Sequence, residues 1–122
     1  MAKEKRERAV DELTDFITEV YKFININKAT VIKNTVRKVR GNKVALRAFV
    51  QNALLTDTVL NMEMTDIELG TLLFRLLLNR EITVLELTNM VEYLGGHTRA
   101  DMINHILSSR DWLDRLNTLG CC

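Results

Sequence analysis

The side chains able to do catalysis are few in this chain and poorly spaced for it. There are two histidines, His97 and His105. Eight residues apart, they share a helix face only if one helix contains both, yet His97 precedes Thr98, a helix cap. With no cysteine nearby, the pair falls short of a metal-ligand set. The serines, Ser108 and Ser109, are adjacent at a helix start, where a hydroxyl serves backbone amides. Neither a Gly-x-Ser-x-Gly elbow nor a glycine-rich phosphate loop occurs. The carboxylates fall mostly in first helical turns or on polar faces, and capping accounts for them. The sequence therefore offers no catalytic, metal-binding or cofactor-binding residue, and the expectation is a protein that is not an enzyme and needs no cofactor.

Binding chemistry is better represented. Residues 28–47 hold seven cations (Lys28, Lys33, Arg37, Lys38, Arg40, Lys43 and Arg47) and no acid. Residues 57–68 hold four acids and no base. At spacings of four and three, Lys33, Arg37 and Arg40 form a ridge, with Lys38 and Lys43 beside it, suited to an acidic or phosphate-bearing partner. No aromatic residue is interleaved, which removes base stacking, and a net charge of +1 argues against a dedicated nucleic-acid binder. The basic and acidic stretches are also complementary to each other, within one molecule or between neighbours. The chain closes on Gly120-Cys121-Cys122. Adjacent cysteines rarely bond to each other because of strain, leaving three readings: an inert tail, an intermolecular disulfide, or lipidation. Membrane association follows only from the last, and stable anchoring takes two lipid chains.

These groups need positioning, and the pattern predicts an all-α domain of six or seven short helices. The chain has 122 residues, 47% of them hydrophobic, with no proline, so one core and long helical stretches are both permitted. Residues 4–26 read as a first helix through Val10, Leu13, Ile17, Val20 and Ile24. Thr30 is expected to cap a second helix through Val39, which Gly41 and Asn42 stop; its β-branched content makes a strand the rival, but the apolar spacing is three and four. A third helix covers 44–55, followed by a short turn carrying Val59 and Leu60. Thr65 with Glu68, and Thr83 with Glu86, read as capping boxes opening helices to about Asn79 and to Leu94. Thr98 caps the next, and Ser109 a last short piece that folds Trp112 and Leu113 back.

Several of these features recur 53 residues apart: Tyr21 with Phe74, Thr30 with Thr83, Thr56 with Ser109 (109 − 56 = 53). This predicts two tandem three-helix repeats, about 13–62 and 66–116, with flexible ends at 1–8 and 117–122. No apolar run approaches the roughly 20 residues needed to cross a bilayer, and no signal-peptide pattern opens the chain, so a cytoplasmic protein is expected.

Phe74-Arg75-Leu76-Leu77-Leu78-Asn79-Arg80-Glu81, then Val91, Gly96, Thr98-Arg99-Ala100 and Ser109-Arg110-Asp111-Trp112, resemble a short helical repeat domain of unknown function found in bacterial surface and secreted proteins. More distantly they are similar to the helical domain of phycobilisome linker polypeptides. The family's glycine before arginine is Asn79 here, and its middle-helix tryptophan is absent, with Met90 in that region. The first unit matches weakly, with Ile26-Asn27-Lys28 in place of Asn79-Arg80-Glu81. The resemblance implies a scaffold or linker module that binds protein partners or itself and carries no catalytic residues. Arg80 and Asp111 occupy its two recurring charged positions. The expectation is that Arg80 locks the unit closed by reaching Asp111 or the carbonyls that end its helix.

Overall fold

A computed structural model describes residues 2–120, with side chains from residue 12 onward. Apolar residues at spacings of three and four bring Leu13, Phe16, Ile17 and Val20 to one buried face of α1 (Ala2–Phe23). Asn25 ends that helix in the left-handed region, at φ 64°, a conformation asparagine tolerates better than most side chains. The next helix, α2 (Ala29–Val39), buries Ile32, Val36 and Val39. The three-four spacing thus prevails over the β-branched composition of this segment. Gly41, at φ 65°, turns the chain, and the Asn42 side chain accepts from the Ala45 amide at 3.0 Å to open α3 (Lys43–Leu54).

One turn, α4 (Asp57–Leu60), leads to α5 (Asp66–Leu78), the most apolar helix, which buries Leu69, Leu73, Phe74 and Leu77. Asn79 stops it at φ 53°. The Thr83–Glu86 capping box opens α6 (Val84–Leu94), and a Thr98–Asp101 box opens α7 (Arg99–Leu107). The Ser109 hydroxyl accepts from the Trp112 amide at 3.3 Å to start α8 (Arg110–Leu119).

The described residues are thus all helical, eight helices with no strand. Helix α1 lies against α2, α3, α5 and α8, while α5 lies against α6, α7 and α8. Trp112 sits at the centre, fully buried, its ring 5.8 Å from that of Phe16. The described core contains no buried polar or charged residue, so apolar burial supplies the main driving force.

Three expectations are corrected. The count is eight rather than six or seven, because the turn at 57–60 closes as a helix. Lys28, not Thr30, is the N-cap of α2, and it makes no side-chain capping bond; the left-handed Asn25 ends α1 early and lets α2 begin at Ala29. Thr65 accepts from the Glu68 amide at 3.1 Å, but the Glu68 carboxylate takes the Thr65 hydroxyl at 3.0 Å instead of a backbone amide, so the box is only half made. Helix α1 begins at Ala2, and α8 runs to a buried Leu119.

Candidate functional site

Arg80 is the most heavily bonded charge near the α5–α6 turn. Its guanidinium is bidentate to Glu86, with Nη1 to Oε1 at 2.7 Å and Nη2 to Oε2 at 2.8 Å. Nη2 also donates to Asp111 Oδ2 at 2.5 Å, in the first turn of α8. The cation lies over the Phe74 ring, 5.3 Å from its centroid. Glu86 meanwhile accepts the Thr83 amide at 3.0 Å. The Arg80 fork, helped by that amide, holds the Glu86 carboxyl down at about 2, and the two carboxylates push Arg80 upward. Arg80 and Asp111 are therefore brought together. The carbonyl that Arg80 reaches among the described residues is that of Glu81, at 3.2 Å, not one ending α5; Arg115 takes the Leu76 carbonyl at 2.7 Å.

A second arginine escaped the sequence reading. Arg99 Nε donates to Asp66 Oδ1 at 2.6 Å. Its terminal nitrogens reach the carbonyls of Val59, Leu60, Met62 and Met64 at 3.2, 3.3, 3.1 and 2.5 Å. The side chain is only 14% exposed, so it binds the whole α4–α5 connection to the start of α7. Its one sequence signal is a cation in a first helical turn, where the helix dipole repels it. Arg110 holds the same place in α8 and is exposed without a salt bridge among the described residues, so that signal alone does not distinguish the two.

The basic stretch stays open. All seven of its cations are exposed, and none forms a salt bridge among the described residues. The charge pairs there are Arg75–Glu81, Arg80–Glu86, Arg80–Asp111 and Arg99–Asp66. The acidic stretch has already committed Asp66 to Arg99. Gly120 packs on Lys43, where an added Cβ would come within 2.7 Å of Cγ. The chain thus leaves the described residues beside the basic face; Cys121 and Cys122 lie outside them.

The two histidines are closer than their sequence positions suggest. His97 stacks on Tyr93 with ring centroids 3.9 Å apart, and His105 covers the same ring at 4.9 Å. The metal-ligand expectation was argued from one helix, whereas the α6–α7 turn folds them onto a common aromatic. Among the described residues no cluster of three or more metal-ligating side chains forms.

Two apolar features complete the inventory. Helix α6 buries Met90 against α5 and α7, while Val84, Leu85 and Val91 on its outer side are 82%, 70% and 48% exposed. A groove of about 690 Å³ runs between α1, α5 and α8. Phe23, Leu72 and Leu76 line it, with Glu12, Asp15 and Glu19 on the α1 lip and Arg75 and Arg115 opposite. Burial pushes the Arg115 guanidinium down, and nearby Glu12 offsets part of that. Comparison with protein-family models, curated proteins and solved structures gives no match to this chain. No described helix is long and apolar enough to cross a membrane.

Proposed function

We propose that this chain is a non-enzymatic helical assembly module, holding copies of itself or protein partners through an apolar helix face. The observation that carries this reading is the outer side of α6. A helix in a finished domain turns its apolar stripe inward and its polar side to water. Helix α6 does the first with Met90, yet exposes Val84, Leu85 and Val91 around Thr88. Contiguous exposed apolar surface of this kind marks protein-contact sites. The assembly role implied by the repeat resemblance points the same way.

The module is built from two tandem three-helix units, α1–α3 and α5–α7, followed by α4 and α8 respectively. Six pairs of buried apolar residues separated by 53 support this. They are Phe16 and Leu69 (69 − 16 = 53), Val20 and Leu73, Val50 and Ile103, Ala53 and Ile106, Leu54 and Leu107, and Val59 and Trp112. The left-handed Asn25 and Asn79 fall at the matching helix ends. Light scattering of the full chain across concentration and salt tests the assembly reading, and a monomer under every condition refutes it.

A second reading rests on the basic face of Lys33, Arg37, Lys38, Arg40 and Lys43, whose charges remain unpaired among the described residues. An acidic protein, a nucleic acid or an anionic membrane would use it. Such binding weakens steeply with salt; affinity that ignores salt removes this reading.

A further inference from the structure

The geometry points to one occupant for the α1/α5/α8 groove: the outer face of α6 from a second copy of this chain, joined head to tail. This rests on the assembly reading above and names its two surfaces. One is convex and apolar, the other concave with an apolar floor, and they lie on different parts of the same molecule.

Length agrees first. The groove's α1 wall runs from Glu12 to Phe23, roughly 17 Å of helix at 1.5 Å per residue. Helix α6, Val84–Leu94, is about 15 Å long on the same rise. Within it Val84, Thr88 and Val91 follow one another at four and three, with Leu85 and Glu92 alongside at seven. All five share one exposed side, as required of a helix entering a groove.

Charge agrees second. The charged residues of α6 are both acids, Glu86 and Glu92. Glu86 is committed to Arg80, whereas Glu92 is exposed and forms no salt bridge among the described residues. In the groove, Arg115 is half-buried, leans over the Phe16 ring at 5.0 Å, and among the described residues has the Leu76 carbonyl alone as hydrogen-bond partner. Glu12 acts on this guanidinium from a distance but forms no salt bridge with it among the described residues, so its remaining donors are the natural seat for the second copy's Glu92. The opposite lip carries Glu12, Asp15 and Glu19, with Lys22 at its far end; the three acids repel Glu92 and so fix which way round the incoming helix lies. Because groove and helix are different surfaces, the contact is heterologous and repeats from copy to copy instead of closing as a two-fold dimer.

The test uses the full chain in sedimentation velocity from about 1 µM to about 1 mM, the range for small, weak interfaces. Wild type is expected to show mass that grows with concentration beyond a dimer. Leu72→Glu fills the groove with charge, Val84→Glu spoils the α6 face, and both alter exposed side chains. Each alone is expected to weaken association ~30-fold or more, as for a buried interface anchor, with a wild-type circular-dichroism melt. Glu92→Lys is a second α6 variant expected to act in the same direction should Val84→Glu lower the melt. Mixed one to one, the groove and α6 variants are expected to restore a heterodimer that grows no further, since each keeps one intact half. Association that both variants leave unchanged, or variants that fail to rescue each other, overturns the head-to-tail contact while leaving the assembly reading intact. A wild-type monomer throughout overturns both.

Discussion

Removing the Arg80 guanidinium should weaken the fold by an amount that depends on pH in a defined direction. Glu86 is held near 2 from an ordinary 4.5, a difference worth roughly 3 kcal/mol if the pair were dry. The Arg80 and Glu86 side chains are 36% and 31% exposed, and solvent screening at that exposure brings the figure to about 1.5 kcal/mol. The more exposed Asp111 adds under about 0.5 kcal/mol, and the Phe74 ring a similar amount. Arg80→Ala is therefore expected to cost about 2 kcal/mol at pH 7, lowering Tm by roughly 6–10 °C for a domain of this size. Glu86 has a folded pKa below its unfolded one, so its contribution is present above about 4.5 and fades as pH falls toward 2. The gap between wild-type and variant melts, followed by far-ultraviolet circular dichroism, should narrow from pH 6 to pH 3. Arg80→Lys should recover less than half of it, because an ammonium cannot bridge both Glu86 oxygens. A variant melting within about 2 °C of wild type at pH 7, or a gap indifferent to pH, refutes the lock.

Arg99→Ala should cost more, about 2–4 kcal/mol, because it leaves Asp66 and the Leu60 and Met64 carbonyls without a donor, and the Val59 and Met62 carbonyls with one each, in a mostly buried setting; hydrogen exchange should quicken through residues 57–65, and unchanged protection there contradicts the clamp. Trp112 is fully buried and its Nε1 has no hydrogen-bond partner among the described residues, so Trp112→Phe should lose only packing, about 1–2 kcal/mol, against about 3–5 kcal/mol for Trp112→Ala; equal denaturant midpoints for the two would show that the ring's volume is not what matters. Reversing Lys33, Arg37 and Arg40 together to Glu changes exposed cations that form no salt bridge among the described residues. Tm should move by less than about 2 °C, while retention on a heparin column falls; retention equal to wild type removes this face as an anion site.

Sequence legibility followed the range over which each cause acts. Caps are local, and Thr83, Thr98 and Ser109 are where their hydroxyl spacing placed them. The helical reading of residues 30–39 held because burying Ile32, Val36 and Val39 outweighs the small helix penalty of branched side chains. Thr30 failed as a cap because Asn25 turns left-handed first, and the chain has already entered α2 when it reaches the threonine. Glu86 was explained fully by its capping box, which hid that the same carboxylate also receives Arg80. The Tyr93 stack, the Arg99 clamp and the groove each join segments whose relation only packing decides. No spacing in the sequence encodes how α1, α5 and α8 meet.

An apolar core of this kind is undirected: many registers of eight short helices bury similar area. The arginines remove that freedom in one half of the molecule. Arg80 fastens the α5–α6 turn to α8, Arg99 fastens the α4–α5 connection to α7, and Arg115 fastens α8 to the end of α5, each across 31 or more residues of chain. In the other half, the side-chain hydrogen bond that joins two helices among the described residues is Tyr21 to Thr35, at 2.6 Å. Fifty-three residues before Arg80 stands Asn27, beside the exposed Lys28. Cations that lock the C-terminal half are thus left without a salt bridge in the N-terminal half, among the described residues, on Lys33, Arg37 and Arg40. The same division explains why α6 can keep an apolar face in water: its seat in the fold is set by the capping box and by Arg80 through Glu86, leaving Val84, Leu85 and Val91 free to meet another surface.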